Sequence, residues 1–217
     1  MKEYPKIETL YDRDDKTRKV LVNEVRLDEF TNIKRWHITE KVDGTNVRIG
    51  LSPDGEISYG GRTESAQMPV TLLNYLTYTF TIEKMCMAFE TRGNLEVVLF
   101  GEGYGSKIQK GGGNYRNDVS FRLFDVLVGE WWLEHEAILD VAAKLSIAAV
   151  PSLGMIDSFP QSIDDLKSII GNGGLSVTAQ EDKGHGLMAE GIVARTVPML
   201  FTRRKDRLMW KLKVRDF

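Results

Sequence analysis

Alternating apolar and polar positions predict a β-hairpin in the first third of the chain. Residues 45–51 (TNVRIGL) alternate and are rich in β-prone side chains, and residues 56–59 resume the same character. The segment between them, residues 52–55, reads Ser-Pro-Asp-Gly. Successive side chains of a strand point to opposite faces, and such a polar segment between two strands is typical of a hairpin turn. We therefore expect a hairpin over residues 45–59.

Three longer segments show the spacing of helices. Residues 69–91 begin with a proline, and the pattern ends before Gly93. Residues 131–145 form an amphipathic segment. Residues 162–170 form a short one, in which Ser162 is placed to cap the first turn and Gly171 follows the last turn. Proline near the start, serine at the cap and glycine after the end are common boundary residues of helices.

Short apolar runs outside these segments predict further strands. They are Leu95–Gly101, Phe121–Val128, Glu190–Arg195 and Leu208–Val214. Strands predominate, and the helices do not alternate with them in a regular βαβ order. This order favours an α+β fold with antiparallel β-sheets and flanking helices.

Composition and charge mainly exclude some classes of protein and of site. The chain has 217 residues and a formal net charge of −2, which argues against a protein whose whole surface is basic. A local basic groove is still compatible with this balance, because nucleic-acid binding depends on where the charges lie. Cys86 is the single cysteine, so an intramolecular disulfide framework and a cysteine-based zinc site are excluded.

No segment has the character of a secretion signal or a membrane span. The N-terminal residues are charged and lack the apolar stretch of a signal peptide. No apolar run reaches the length of about 18 residues that indicates a transmembrane helix. We expect a cytoplasmic protein with no membrane partner.

Lys41 is the first candidate for covalent chemistry. It lies in the segment EKVDGTN at residues 40–46, next to the apolar Val42 and shortly before an Asp-Gly pair. A lysine amine is a nucleophile only when neutral, and most of it is protonated at neutral pH. Burial and neighbouring cations favour the neutral form. The plain alternative is a hairpin turn with an exposed lysine, because Asp-Gly turns are common.

The order of motifs along the chain resembles the covalent nucleotidyltransferase superfamily of ATP-dependent ligases and capping enzymes. The similar elements are KVDGTN at 41–46, GRT at 61–63, FGEG at 100–103, FRLFD at 121–125, AEGIV at 189–193 and WKLK at 210–213. DNA ligases and capping enzymes usually have arginine at the position of Asn46. Asparagine there, with GRT and with IQK at 108–110, resembles the nick-sealing RNA ligases of the phage and RNA-editing type.

The resemblance implies a three-step reaction. Lys41 would attack the α-phosphate of ATP, giving a lysyl-AMP intermediate and pyrophosphate, with Mg²⁺ or Mn²⁺ as the metal cofactor. The AMP would pass to an RNA 5′-phosphate, and a 3′-hydroxyl would then seal the strand and release AMP. The implied partner is RNA with 5′-phosphate and 3′-hydroxyl ends.

The resemblance also assigns the residues that would handle phosphate and metal. Lys211 and Lys213 would contact the α-phosphate, and their alternation puts both on one face of a strand. Their alternative is a solvated basic strand edge. Arg62 would hold a phosphate through its guanidinium fork, or would be a surface arginine in a Gly-rich turn. Glu190 would bind a divalent cation.

Other residues would bind the nucleoside. Glu102 resembles the residue that accepts a hydrogen bond from the ribose, and Phe121 aligns with the aromatic that stacks on adenine. An aromatic at that position is more often part of a core; Phe124 is the competing candidate, and we expect it in the core. Glu40 would meet the adenine edge. Asn46 resembles the asparagine that helps the RNA-directed steps.

The segment 203–215 (RRKDRLMWKLKVR) carries seven Lys and Arg residues against one Asp. Together with Lys107, Lys110 and Arg116, it could form a positive strip along a nucleic-acid backbone. Its alternative is a generic charged terminus.

The implied architecture is one nucleotidyltransferase (ATP-grasp-like ligase) domain over residues 1–217 with no C-terminal accessory domain. Two other functions stay open: a DNA ligase-type adenylyltransferase, and a non-catalytic RNA-end-binding module that retains the nucleotide pocket. The sequence leaves the oligomeric state open.

Overall fold

The computed structural model describes every residue from Met1 to Phe217. The strands in chain order are β1 (Glu8–Thr9), β2 (Tyr11–Arg13), β3 (Val20–Val25), β4 (Trp36–Lys41), β5 (Thr45–Leu51), β6 (Ile57–Gly60), β7 (Val97–Gly105), β8 (Val119–Val128), β9 (Trp131–Trp132), β10 (Ala148–Ala149), β11 (Ser152–Ile156), β12 (Gly191–Arg195) and β13 (Met209–Lys213). The α-helices are α1 (Asp28–Thr31), α2 (Val70–Thr79), α3 (Ile82–Ala88), α4 (His135–Leu145), α5 (Ile163–Ile170) and α6 (Val177–Glu181).

Contacts divide the chain into two compact units. The first unit comprises residues 1–4 and 43–150, and the second comprises residues 5–42 and 151–217. The chain passes from the second unit to the first inside the KVDGTN motif, so Lys41 belongs to one unit and Asn46 to the other. The assignment of residues 1–217 to a single nucleotidyltransferase domain stays a prediction.

The first unit is built on a six-stranded sheet. Its strand order is β10-β8-β7-β5-β6, with β9 paired to β8. All pairs are antiparallel except β10 with β8. One face of β5 carries Val47, Ile49 and Leu51, and helices α2, α3 and α4 contribute to the same buried apolar cluster. The opposite face carries Asn46 and Arg48 on β5, and Glu102 together with a smaller apolar cluster around Val98 and Phe100 on β7.

The second unit is built on a five-stranded sheet in the order β1-β13-β12-β4-β11, with a separate β2–β3 ribbon. Ile38, Ile192, Trp210 and Leu212 lie in one buried cluster with residues of α5. Because these core residues alternate with Thr39, Val193 and Lys211, the other face of the sheet carries polar and cationic side chains.

The structure confirms the α+β class, the hairpin β5–β6 and helix α5. Ser162 caps α5 by accepting a hydrogen bond from the Asp165 N–H at 3.1 Å, and Gly171 follows the helix with φ of 80°. The predicted strands are present with ends shifted by a few residues. None of the helices combines the length and the apolar character needed to cross a bilayer.

Two predicted helices differ from the structure. The segment 69–91 forms two helices, because Phe80 leaves helical geometry (φ −106°, ψ 80°) and Thr81 caps α3 through its hydroxyl. Phe80 is buried and its ring packs edge-on against Phe121, which fixes the break. The helix expected from residue 131 begins at His135, because Trp131 and Trp132 pair with β8 as a short strand.

Candidate active site

Lys41, Glu190 and Lys213 form a cluster of charged side chains in the second unit, named here the lysine–glutamate cluster. The Lys41 Nζ lies 2.7 Å from Glu190 Oε2, and the Lys213 Nζ lies 2.5 Å from Glu190 Oε1. The three side chains are 21%, 11% and 16% exposed, so the cluster is mostly withdrawn from solvent but still open to it. One carboxylate therefore holds two ammonium groups at a partly buried position.

Strand register explains how residues far apart in sequence meet here. Gly191 at the start of β12 pairs with Lys41 on β4 and with Lys213 on β13. The two lysines therefore flank a position that has no side chain. A Cβ at Gly191 would lie 2.1 Å from the Leu212 carbonyl oxygen and 2.6 Å from the Lys213 Cα. Only glycine fits between these strands, and its small size leaves space for both lysines to reach Glu190.

The electrostatics of the cluster favour an ionised Glu190. Burial by itself would raise the pKa of the Glu190 carboxyl, but the charge of Lys41 and the hydrogen bond from Lys213 outweigh burial. The net effect holds the pKa of Glu190 below its ordinary value of 4.5. Glu190 is thus a carboxylate at neutral pH, and it pairs with both the proposed nucleophile, Lys41, and the neighbouring Lys213.

Lys211 lies one step further along β13, on the face that also carries Lys213. Lys211 pairs with Val193 of β12, just as Lys213 pairs with Gly191, so the two pairs form neighbouring rows on the same face of the sheet. Thr39 of β4 completes this second row and is buried. The predicted pair of cations on one face of the last strand is therefore confirmed.

Glu40 lies on the opposite face of β4 from Lys41. Its side chain is 1% exposed and accepts hydrogen bonds from the Ser176 hydroxyl at 2.5 Å and the Thr178 N–H at 2.9 Å. Ser176 in turn caps α6 by accepting from the Ala179 N–H. These contacts make Glu40 an anchor between β4 and α6, and the expected contact with an adenine edge stays a prediction.

In the first unit, the structure brings Asn46 and Glu102 together. They lie directly opposite each other on β5 and β7. The Asn46 Oδ1 is buried and has no hydrogen-bond partner within the chain. A buried acceptor without a donor costs about 1–3 kcal/mol, so it is a natural position for a donor from a ligand. Glu102 also pairs with Arg122 of β8.

Arg122 is a residue that sequence reasoning missed. It is 3% exposed, and its guanidinium donates to the Tyr104 hydroxyl at 3.1 Å and to the Ala149 carbonyl at 3.2 Å. It occupies the same cross-strand row as Asn46 and Glu102. The signal in the sequence was the arginine within FRLFD, an otherwise largely apolar strand. An arginine that is buried in such a strand needs polar partners.

The turn after Lys41 is held by two side chains from the loop after β7. The Tyr115 hydroxyl accepts a hydrogen bond from the Asp43 N–H at 3.1 Å, and the Gln109 amide donates to the Gly44 carbonyl at 3.0 Å. A Cβ at Gly44 would lie 2.3 Å from the Gly103 carbonyl oxygen, so β7 approaches this turn too closely for any other residue. These contacts fix the Asp43-Gly44 turn within the first unit.

Phe121 lies in the apolar core of the first unit. It is 1% exposed, belongs to the apolar cluster under α2 and α3, and covers Gly101, where a Cβ would lie 2.1 Å from its ring. That face of the sheet is opposite to the face that carries Glu102. Phe124 is partly buried and packs with Tyr4 and Phe100 on the Glu102 face. The structure thus puts Phe124, and not Phe121, on the face of the sheet that carries Glu102, and the contact of either ring with adenine stays a prediction.

Arg62 stands apart from these groups. It is exposed in the loop that follows β6, and its side chain forms no hydrogen bond or ion pair within the chain. The same loop is fixed at its start by the buried Arg48, whose Nε donates to the Gly61 carbonyl at 2.7 Å. The structure therefore leaves Arg62 available to an anion, and its contact with a phosphate stays a prediction.

The chain offers few side chains that could coordinate a metal ion. No group of three or more His, Cys, Asp or Glu side chains could hold an ion. Glu190 is a single carboxylate between two lysines. Mg²⁺ commonly binds through one or two carboxylates together with substrate phosphates and water, and Glu190 fits that mode but not a site built by the protein alone.

The fold is that of solved RNA ligase structures. An apo mutant of Naegleria gruberi RNA ligase matches with a TM-score of 0.63 and 18% identity over 97% of this chain and 57% of that chain. A mutant of the same ligase with ATP and Mn matches with a TM-score of 0.62 and 17% identity over the same shares. The ligase with PPi matches with a TM-score of 0.58 and 18% identity, over 83% of this chain and 49% of that chain. This chain thus spans about half the length of those ligases.

A family model described as RNA ligase matches residues 34–213. The match covers most of the chain and every motif described above, so the chain belongs to the RNA ligase family. No curated protein sequence matches it.

Proposed function

We propose that this protein is an ATP-dependent RNA ligase that carries AMP on Lys41 as a covalent intermediate. The lysine–glutamate cluster is the observation that supports the proposal most directly. It puts the amines of Lys41 and Lys213 within hydrogen-bond distance of one carboxylate, inside the region that matches the family model.

In the first step, the Lys41 Nζ uses its lone pair to attack the α-phosphorus of ATP. A P–N bond forms, the bond from the α-phosphorus to the bridging oxygen of the β-phosphate breaks, and pyrophosphate leaves. Before the attack the Lys41 ammonium loses one proton to solvent, and the nitrogen loses a second as the P–N bond forms; Glu190 Oε2, 2.7 Å from Nζ, orients the amine by accepting its hydrogen bond. An attacking group that is already in place removes much of the entropic cost of the step.

Lys213 and Lys211 supply positive charge on the same face of the sheet. The transferred phosphoryl group spreads negative charge over its oxygens, and fixed cations stabilise that charge best in a site that is partly shielded from water. Lys213 keeps its place through its own ion pair with Glu190. Arg62 is exposed and forms no ion pair, so it can bind a phosphate oxygen through its guanidinium.

The first unit supplies the candidates for nucleoside recognition. Glu102 is our candidate for accepting a hydrogen bond from a ribose hydroxyl. Asn46 offers the buried Oδ1 without a partner, which we assign to the RNA-directed steps. Phe124, on the same face as Glu102, replaces Phe121 as our candidate for stacking on adenine.

A divalent cation, bound with the triphosphate, would offset charge on the phosphates and on the leaving pyrophosphate. Glu190 is the residue of this chain that would contact it. The second step then transfers AMP from Lys41 to an RNA 5′-phosphate. In the third, a 3′-hydroxyl attacks that phosphate, a phosphodiester bond forms and AMP leaves.

Mass spectrometry of the purified protein tests the first step. After incubation with ATP and Mg²⁺, we expect one AMP added per chain and located on Lys41. Lys41→Ala should fold and carry no AMP, since it lacks the amine. Lys41→Arg should also carry none, because a guanidinium stays protonated.

A wild-type chain that never gains AMP under these conditions contradicts the proposal and favours a non-catalytic module that binds RNA ends. Nicked duplexes with RNA or DNA on either side of the nick separate the RNA ligase from a DNA ligase-type adenylyltransferase. Sealing only where RNA flanks the nick is the expected result.

A further inference from the structure

A basic hairpin connects β12 to β13 in the second unit; we define it as residues 200–208. Leu208 donates its N–H to the Leu200 carbonyl at 2.8 Å, and Phe201 pairs with Arg207 as an antiparallel bridge. The hairpin follows the last regular pair of the β12–β13 ladder, Arg195 with Met209, after residues 196–199, which shift the register between the two sides by four residues.

The tip of the basic hairpin is an ordered turn. The Thr202 N–H donates to the Asp206 carbonyl at 2.7 Å, and the Lys205 N–H donates to the Thr202 carbonyl at 3.0 Å. The Thr202 hydroxyl accepts from the N–H groups of Arg204 and Asp206 at 3.2 and 3.3 Å. A threonine that accepts two backbone donors fixes the turn, so the side chains at the tip project from a defined backbone.

The side chains at the tip are cationic and have no internal partner. Arg203, Arg204 and Lys205 are exposed, and none forms a side-chain hydrogen bond or ion pair within the chain. The Phe201 side chain is 50% exposed, so its ring is also open to solvent. Three unpaired cations beside an exposed aromatic ring match the two features of a single-stranded nucleic acid, a phosphate backbone and base faces that stack.

Position along β13 relates the basic hairpin to the lysine–glutamate cluster. Arg207, Met209, Lys211 and Lys213 occupy alternate positions, while Leu208, Trp210 and Leu212 lie in the core. Lys205 at the tip stands eight residues before Lys213, so the two residues are at most about 26 Å apart at about 3.3 Å per residue. A stacked strand at about 3.4 Å per nucleotide covers that distance in about eight nucleotides.

We propose that the basic hairpin binds the backbone of a single RNA strand within about eight nucleotides of the end that reacts at Lys41, with Phe201 stacking on a base. The inference rests on the proposed function for its choice of RNA. It adds a contact surface remote from the nucleophile that carries no sequence preference, since phosphate contacts position a strand without reading it.

Direct binding measurements test the basic hairpin independently of catalysis. The variant Arg203→Ala/Arg204→Ala/Lys205→Ala should bind a 5′-phosphorylated single-stranded RNA of about twelve nucleotides roughly tenfold to a hundredfold more weakly at physiological salt. Its plot of log affinity against log salt should be shallower by about 2, since each lost phosphate contact on a single strand removes about 0.7.

The matched control neutralises three exposed cations elsewhere in the second unit, Lys16→Ala/Lys34→Ala/Arg35→Ala. It changes net charge equally and should keep the wild-type affinity and salt slope. Equal losses in both variants, or unchanged binding in the hairpin variant, would overturn the inference. Both variants should gain AMP on Lys41 as the wild type does, so failure of adenylylation itself is a separate result that tests the proposed function.

Phe201 provides a second, uncharged test. Phe201→Ala should weaken binding of the same RNA by about tenfold, the order of one lost base–aromatic stack. Phe201→Tyr keeps the ring and should stay within about twofold of the wild type. A Phe201→Ala variant that binds as tightly as Phe201→Tyr contradicts the stacking contact.

Discussion

Gly191 shows at the residue scale how a missing side chain organises the chemistry. It pairs with Lys41 on one side and Lys213 on the other, and any Cβ would collide with the backbone of β13. Both lysines therefore reach the single carboxylate of Glu190. A substitution at Gly191 would separate the strands and the charges together.

The two phenylalanines of FRLFD differ in which face of the sheet they occupy, and this difference gives a prediction. Phe124→Leu should raise the dissociation constant for ATP about tenfold, because one stacking contact is lost. Phe121→Leu makes the same chemical change in the core and should leave ATP affinity within about twofold while costing roughly 1 kcal/mol of stability. Calorimetric titration and urea unfolding measure the two quantities.

The opposite pattern would restore the role first expected for Phe121. If Phe121→Leu weakens ATP binding and Phe124→Leu does not, adenine contacts the core-side ring. A loss in both variants would indicate that the sheet itself has been disturbed.

At the scale of elements, β4 separates two tasks on its two faces. Lys41 points to the cationic face, and Glu40 is buried on the core face, where it holds the start of α6. The strand is thereby fixed from behind at the residue before the nucleophile. Rigid support of this kind keeps a reacting group in position.

Glu40→Ala tests this division of tasks. The change leaves the Ser176 hydroxyl and the Thr178 N–H without their acceptor, and each buried group costs about 1–3 kcal/mol, so we expect a loss on the order of 3 kcal/mol in the free energy of unfolding. Urea unfolding checks it. Glu40→Gln retains an acceptor and should recover part of the stability, with ATP affinity within about twofold of the wild type. A large loss of ATP affinity without loss of stability would instead support the contact with adenine.

At the scale of the whole molecule, the stability of the fold depends on pH through Tyr11. Burial, with a smaller contribution from the Asp165 charge, raises the pKa of Tyr11 to about 12 from its ordinary value of 10.0. Tyr11 is 1% exposed, and its hydroxyl donates to the Pro160 carbonyl at 3.2 Å. The folded state thus retains the phenol proton more strongly than the unfolded state. The resulting stabilisation is complete below pH 10.0 and is lost as pH rises toward 12.

Tyr11→Phe should therefore be less sensitive to alkali than the wild type. Unfolding free energies at a series of pH values between the two pKa values should fall more in the wild type, by on the order of 2 kcal/mol in total. Ordinary lysine titration is common to both proteins and cancels in the comparison. Equal slopes would show that Tyr11 is not the group responsible.

Local patterns predicted what depends on neighbours in sequence. The hairpin β5–β6, the caps of α5 and the alternation of Lys211 and Lys213 follow from the chain itself. The break between α2 and α3 and the short strand at Trp131 did not, because they depend on which distant strand each aromatic residue meets. Trp131 was not separable from a helical residue by periodicity alone.

The amino-acid sequence by itself determined the family, the α+β class and the set of candidate groups, because motif order and side-chain period are properties of the chain. Only the tertiary structure decided that Lys41 and Lys213 share Glu190, that Glu40 is an anchor behind them, and that Phe121 and Phe124 lie on opposite faces. The physical reason is that these relations depend on strand register, a bulge in β8 and burial, which join residues separated by up to about 170 positions and leave no local pattern to read.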